Sequence, residues 1–368
     1  MMDSASRYLN MEEPNRADHL WRYTPWKRVH PTGDISEIPE LVEPEISLGI
    51  IDGSDLPSGI ELKRGVVGEP DFSKSSALTN SFLHASAKSS QWTLTVERGF
   101  SAETPVILEV RTGDLPSVAH ISLEIGEMAE FELITRVTGS SDWFGLLRTG
   151  QIKDGAVMND VVIGLLDRGT MLRSDSIEIC RDAQVKAGTV SSGSERTKSD
   201  LRYIMTENGG NIKVLGSILS ADSMHLDHHI EIHHEAPETF SRLSWHSACG
   251  GRSRTIGTGM LTIDEGSKGA DAAQIFHNLL LSEFAEADSI PELEVMENDV
   301  VGCGHGTANG PIDEEQMFYL KTRGFDDESA KRALIAAFLN STLTEMGGST
   351  LHEWLVSELT LQLESLEA

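Results

Sequence analysis

From residue 104 to residue 301 the chain keeps returning to one pattern, short runs of alternating apolar and polar residues broken by Gly, Asp and Ser. Ala119, Ile121, Leu123 and Ile125 alternate with polar neighbours, and comparable runs recur at 157–163, 177–179, 212–218, 226–232, 255–263, 275–281 and 293–295. A period of two belongs to a strand with one buried face. Runs returning at irregular intervals of about 15 to 20 residues predict an all-β solenoid or sandwich in preference to an α/β fold. The periodicity leaves those two architectures level.

The pattern ends in residues 291–339. Glu292, Glu294 and Met296 alternate with Leu293, Val295 and Glu297, and Val300 and Val301 follow, which predicts a half-buried strand. Next comes Gly302-Cys303-Gly304-His305-Gly306-Thr307, whose glycines predict a bare turn that exposes Cys303 and His305 two positions apart. A thiol and an imidazole so placed suit a ligand pair or a transient sulfur carrier. Behind Pro311, Asp313 and Gln316 have capping-box spacing, so a helix is expected from about Glu314 to Gly324. A second helix, capped by Asp326 or Asp327, would bury Ala330, Ala333, Leu334, Ala337 and Phe338, and a last one Leu351, Trp354, Leu355 and Leu359.

Composition narrows the partners. Of 368 residues, 58 are acidic and 30 basic, and a formal charge of −28 repels phosphate backbones and anionic lipid surfaces. Nucleic acid and membrane are therefore not expected as partners. Cys180, Cys249 and Cys303 form no Cys-x-x-Cys pair, which argues against a disulfide framework and for a reducing, cytoplasmic setting. No apolar run approaches the roughly 20 residues of a membrane span, and the opening residues lack the shape of a signal peptide. Gly-x-x-x-x-Gly-Lys-Ser/Thr, Gly-x-Gly-x-x-Gly and Gly-x-Ser-x-Gly are all missing, so no bound nucleotide and no hydrolase site is expected.

Several of these stretches closely resemble the SufB/SufD family of iron–sulfur cluster assembly proteins. The family's carboxy-terminal pattern reads here as Asn298-Asp299-Val300, then Gly304-His305-Gly306-Thr307, then Glu315-Gln316-Met317-Phe318-Tyr319-Leu320-Lys321-Thr322-Arg323-Gly324. Near the start, Trp21-Arg22-Tyr23-Thr24 matches a segment of many SufD-like chains. The resemblance implies a right-handed parallel β-helix with helical regions at both ends, divided as an amino-terminal region 1–100, a β-helix core 101–305 and a helical region 306–368. It also implies a non-enzymatic scaffold that pairs with SufB or a second copy of itself and binds the ABC-type ATPase SufC. A transient iron–sulfur cluster would form at the subunit interface, and a flavin in the complex is left open. By the same resemblance His305, with Cys303 beside it, belongs at the cluster interface. Asp313, Gln316, Phe318, Tyr319, Arg323 and Gly324 belong to the SufC-docking helix. Phe276 replaces a SufB cysteine, and Gly306 stands where SufB has the glutamate of His-Glu-Ala-Thr. Both departures point to the SufD-like branch.

A rival reading comes from the histidines, six of which lie between residues 225 and 246. In a strand, His228 and His234 would share a side with Leu226, Ile230 and Ile232, while Asp227, His229, Glu231 and His233 would line the other. His229 and His233 with His246 or His277 from a neighbouring strand could hold a metal in a stand-alone metalloprotein. A purely structural homodimer is the third reading. Elsewhere, residues 15–26 are expected to be a packed helix and anchor, 31–70 a loose linker, 72–82 a short helix and 92–96 a strand.

Overall fold

A computed structural model describes residues 3–69 and 77–365. Its core is a stack of strands that alternate between two nine-stranded sheets, one coil after another. The stack opens with β1 (Glu45–Ile50), β2 (Ile60–Arg64), β3 (Gln91–Val96), β4 (Val106–Thr112) and β5 (Ser117–Ile125). Its body runs through β6 (Glu130–Gly139), β7 (Trp143–Ile152), β8 (Val157–Leu166), β9 (Thr170–Ile179), β10 (Gln184–Ser191), β11 (Arg196–Met205) and β12 (Asn211–Ser220). It closes with β13 (His225–His234), β14 (Phe240–Cys249), β15 (Arg254–Ile263), β16 (Asp271–Leu280), β17 (Glu286–Val295) and β18 (Gly302–Pro311).

Pairing is antiparallel only where β1 meets β4 and β2 meets β3; every other ladder is parallel and in register. Val157 of β8 faces Gln184 of β10, and Asp271 of β16 faces Gly302 of β18, so one coil takes 27 to 31 residues at these points. The expected β-helix is therefore present, and each apolar run found in the sequence falls on one of its strands, the run 275–281 passing the end of β16 by one residue. Strands begin earlier than residue 101: the stretch 31–70, expected as a linker, carries β1 and β2. The helix expected at 72–82 is seen as α2 (Ala77–Ser86), and residues 70–76 lie outside the described residues.

Inward side chains stack coil upon coil into one core that includes Leu133, Met158, Val185, Ile212, Leu226, Leu243 and Leu261. Large residues fit where their neighbours are small. Gly216 pairs with Trp245, and a Cβ at Gly216 would lie 2.2 Å from the indole.

Both outward faces are covered. Tyr8 of α1 (Ser4–Leu9), Trp21, Trp26 and α2's Phe82 and Leu83 pack on Val118, Trp143, Leu147 and Leu172 of the sheet that runs from β2 to β17. This is the packing role expected of residues 15–26, although their helical parts are only two short 3-10 turns, His19–Trp21 and Trp26–Arg28. On the opposite sheet, Ile134, Val161, Ile163 and Leu215 meet α4 (Asp327–Met346) and α5 (Ser349–Ser365), following α3 (Glu314–Thr322). There Ile335, Leu339, Leu343, Leu351, Leu355 and Leu359 are buried. Among the described residues, no helix is long and apolar enough to cross a membrane.

Candidate functional site

The covering stops short of the last coil. β17 and β18 are the terminal strands of their sheets, each with one neighbour, β15 and β16 respectively. Most residues of both are exposed or half-exposed. An edge strand presents unpaired N–H and C=O groups to any chain that approaches it. Pro291, which lacks an N–H, is at home in such a strand.

Here the sequence expectation needs correcting. Cys303 and His305 lie within β18 and not on a turn; the bend comes earlier, between Val295 and Gly302. Glycines usually weaken strands, but the in-register ladder with β16 holds this one. Cys303, His305 and Asn309 are paired with Ala272, Gln274 and Asn278, which belong to the inward row of β16, and Asn278 Nδ2 donates to Asn309 Oδ1 at 2.7 Å. The glycines take the alternate row, and a Cβ at Gly304, Gly306 or Gly310 would meet nothing within 4 Å. The result is a strand whose larger side chains share one side while its other side is nearly bare.

Cys303 and His305 are both exposed, and neither side chain has a hydrogen-bond partner among the described residues. Two residues apart in a strand, their Cα atoms stand about 6.6 Å apart. A compact metal or cluster site needs more donors than this pair brings. Its remaining ligands would have to come across the open edge.

Immediately after β18, α3 starts where the sequence predicted. Asp313 caps it, its carboxylate accepting from the N–H groups of Glu315 and Gln316 at 2.8 and 3.2 Å. The helix ends at Arg323, and Gly324 takes φ +97°, as left-handed helix stops do. No residue of α3 is buried. Phe318 and Tyr319 are 70% and 55% exposed, Phe325 follows at 44%, and the Arg323 guanidinium sits 5.0 Å from the Tyr319 ring centre. Gln316 is exposed on the same helix. An exposed aromatic cluster on a capped helix is the kind of surface a partner protein covers.

The histidine-rich strand divides as the alternation predicted. His228 and His234 are buried with Leu226, Ile230 and Ile232, while Glu231 accepts from His229 Nε2 at 2.9 Å and from His233 Nε2 at 3.2 Å on the outer face. Burial pushes the Glu231 carboxyl up, but the bonds from the two imidazoles, with the charges at His229 and Arg202, outweigh it and hold the group below the usual carboxylate range. The metal site expected from His229 and His233 with His246 or His277 is not assembled. His246 and His277 lie on β14 and β16, in the other sheet, with ring centres 4.9 Å apart, and His246 stacks on Phe338 of α4. Their sheets face opposite ways, so His229 and His233 cannot share an ion with them. Among the described residues, no histidine joins two further ligating side chains at metal-binding distance. Strand assignment alone could not reveal this, because it does not say which strands are neighbours.

Sequence reasoning also missed a buried polar column inside the core, formed by Arg148, Asp160, Arg173, Asp175, Thr189 and Tyr203. Charged residues at strand positions 148, 173 and 175 read as outward-facing, and nothing in the local pattern marks them otherwise.

Comparison with known proteins bears on this geometry. A family model described as SUF system FeS cluster assembly, SufBD core domain, matches residues 109–338. An iron–sulfur cluster assembly SufBD family protein of Mycobacterium leprae is 24% identical over 372 residues, covering 97% of this chain and 92% of that protein. A relative of the same description in Mycobacterium tuberculosis is 26% identical over 379 residues, covering 97% and 91%. The iron–sulfur cluster assembly protein SufD of Escherichia coli is 36% identical over 94 residues, 26% of this chain and 22% of its own.

Proposed function

Since the chain belongs to the SufBD family of SUF-system iron–sulfur cluster assembly proteins, we propose that it serves as a SufD-like scaffold subunit whose open last coil is the assembly face. The observation that carries this reading is the exposure of His305 and Cys303 on the edge strand β18, where a second chain can complete a ligand set. That second chain is a SufB-like subunit or another copy of this one, joined through the free edges of β17 and β18. Phe276 and Gly306 favour the SufD-like branch because this chain lacks the cysteine and glutamate of SufB at those positions. The partial match to SufD of Escherichia coli supports the same branch.

The chain's own residues have three tasks. The backbone of β17 and β18 offers hydrogen bonds to the partner's edge strand. His305 and Cys303 contribute an imidazole nitrogen and a sulfur toward the nascent cluster, which is cargo to be handed on. The Phe318, Tyr319 and Arg323 surface of α3 receives a SufC-type ATPase, which supplies the nucleotide chemistry that this non-enzymatic chain lacks. Asp313 and Gly324 fix the two ends of that helix, and Gln316 adds a polar group on its exposed side. A cytoplasmic location fits the reduced state of the three cysteines, and a flavin in the complex stays open.

Co-expression with the ATPase and a SufB-like chain, followed by anaerobic reconstitution, tests the reading. The three chains should co-purify and form a cluster, and His305→Ala should leave the complex intact while lowering cluster yield at least several-fold. Unchanged yield in that variant, or failure to bind either partner, would refute it.

A further inference from the structure

Away from the last coil, three turns on one side of the stack bring together a different set of donors. Asp154 follows β7, Cys180 follows β9 and Glu207 follows β11, and these strands are consecutive neighbours in their sheet. One ligand atom from each lies within 4.8 Å of the other two. The turns are laced together, since Gly155 N donates to Arg181 O at 2.8 Å and Asp182 N to Asn208 O at 3.1 Å. Their spacing is therefore a property of the coil.

A second observation is independent of that spacing. Cys180 is 6% exposed, and its sulfur has no hydrogen-bond partner among the described residues, whereas the other buried cysteine, Cys249, is bonded to Thr255 Oγ1 at 2.9 Å. The Asp154 carboxylate likewise has no ion pair or hydrogen bond among the described residues. Among the described residues Glu207 has a single side-chain partner, Arg181, at 3.4 Å, in a pair exposed enough to be worth little. The nearby cation Lys153 is turned to Gln151, whose amide in turn donates to Glu178. A buried thiol thus faces two carboxylates with only the exposed Arg181, 3.4 Å from Glu207, and the outward-turned Lys153 as nearby cations.

We propose that Asp154, Cys180 and Glu207 bind one divalent transition-metal ion of the zinc class, through one sulfur and two oxygens with water completing the shell. Mixed thiolate and carboxylate donors suit zinc, cobalt(II) or iron(II) better than magnesium or calcium. Bonds of about 2.3 Å to sulfur and about 2.1 Å to each oxygen require the donors to close by roughly 1 Å, which rotation of the two half-exposed carboxylates provides. Burial, and after it Glu207 and Asp154, pushes the Cys180 thiol up, with Lys153 opposing. On binding, the S–H bond breaks, the S–metal bond forms and one proton leaves for solvent, with no change of oxidation state. The site joins three coils where Cys180 would otherwise be an inert core residue, and it is separate from the β18 edge.

The test uses the full chain, reduced and freed of metal with a chelator, and titrated with cobalt(II). One equivalent should produce the near-ultraviolet thiolate-to-cobalt charge-transfer band, and zinc should bleach it. Cys180→Ser should abolish the band, and Asp154→Asn and Glu207→Gln should each weaken cobalt binding about tenfold or more. Cys303→Ala and His305→Ala should leave it unchanged, which keeps this result separate from the fate of the assembly face. No band in the native chain, a band that survives Cys180→Ser, or one lost with Cys303→Ala would overturn the assignment. Should Cys180→Ser misfold by circular dichroism, the two carboxylate variants decide, and unaltered affinity in both refutes the site.

Discussion

Arg173 and Asp175, two positions apart on β9, point into the core and form a bidentate ion pair, Nε to Oδ1 at 3.0 Å and Nη2 to Oδ2 at 2.6 Å. Arg148 from the preceding coil reaches the same carboxylate at 3.5 Å and bonds Asp160, while Arg173 Nη1 donates to Thr189 Oγ1 at 3.1 Å. Burial alone would raise the Asp175 pKa, but Arg173 and Arg148 pull it below its ordinary value. Two opposed pairs thus keep charge inside the stack.

Removing one member strands the others. Asp175→Asn should cost about 3 to 5 kcal/mol, because two guanidinium groups lose their shared counter-ion in a dry interior. The double change Arg148→Met with Asp160→Leu should cost less than the sum of its single changes, since no charge is left behind. Urea unfolding of the four proteins checks this; strict additivity would show that the pair is not coupled.

A pH dependence follows from His228, which packs against Trp245 at 5.1 Å between ring centres and has no partner for either ring nitrogen among the described residues. Burial pushes its pKa down to about 3 from an ordinary 6.5; Asp227 opposes the shift, and Arg173 and Lys198 add to it. The unfolded chain takes the proton first, so the neutral ring's contribution is whole above pH 7 and is lost as pH falls from 6.5 toward 3. By pH 5 the loss is about 2 kcal/mol. His228→Leu should flatten that part of the acid limb and gain about 1 kcal/mol at pH 7 by deleting an unsatisfied buried donor. Equal declines between pH 7 and pH 5 in both proteins would contradict the argument.

The α3 surface predicts a separation of binding from folding. Phe318→Asp and Tyr319→Asp change exposed side chains, so thermal stability should move by no more than about 0.5 kcal/mol. Affinity for the ATPase should fall about thirtyfold or more, as loss of an aromatic anchor implies. Calorimetric titration of the ATPase into each variant measures it, and full affinity in both would place the docking surface elsewhere.

Gly216 tests the packing of the core. A methyl group there collides with the Trp245 indole, so Gly216→Ala should destabilise by about 1 to 3 kcal/mol. Adding Trp245→Phe should return part of that loss by making room. If the double variant is as unstable as the two single losses combined, the collision is not the cause.

Legibility varied with how local the cause was. Asp313 announces α3 because a capping carboxylate acts within three residues, and Leu226, Ile230 and Ile232 reveal the buried side of β13 because alternation is a property of a single strand. β18 was misread because Gly302, Gly304 and Gly306 carry a turn's composition, while the force that straightens them is the ladder to β16, some 31 residues away in sequence. β9 and β11 gave weak signals because Arg173, Asp175, Thr197 and Ser199 put polar groups in inward rows, where Arg173 and Asp175 pair with each other and reach Thr189 and Arg148 of other coils.

The amino acids in order determined a strand-rich chain with helices at its end, the inward side of each apolar strand, and the motif that carries His305. Which strands become neighbours was decided only by stacking, since register between coils depends on contacts that no window of sequence contains. Stacking is what parts His229 from His246, gathers Asp154, Cys180 and Glu207, and leaves the last coil without a lid.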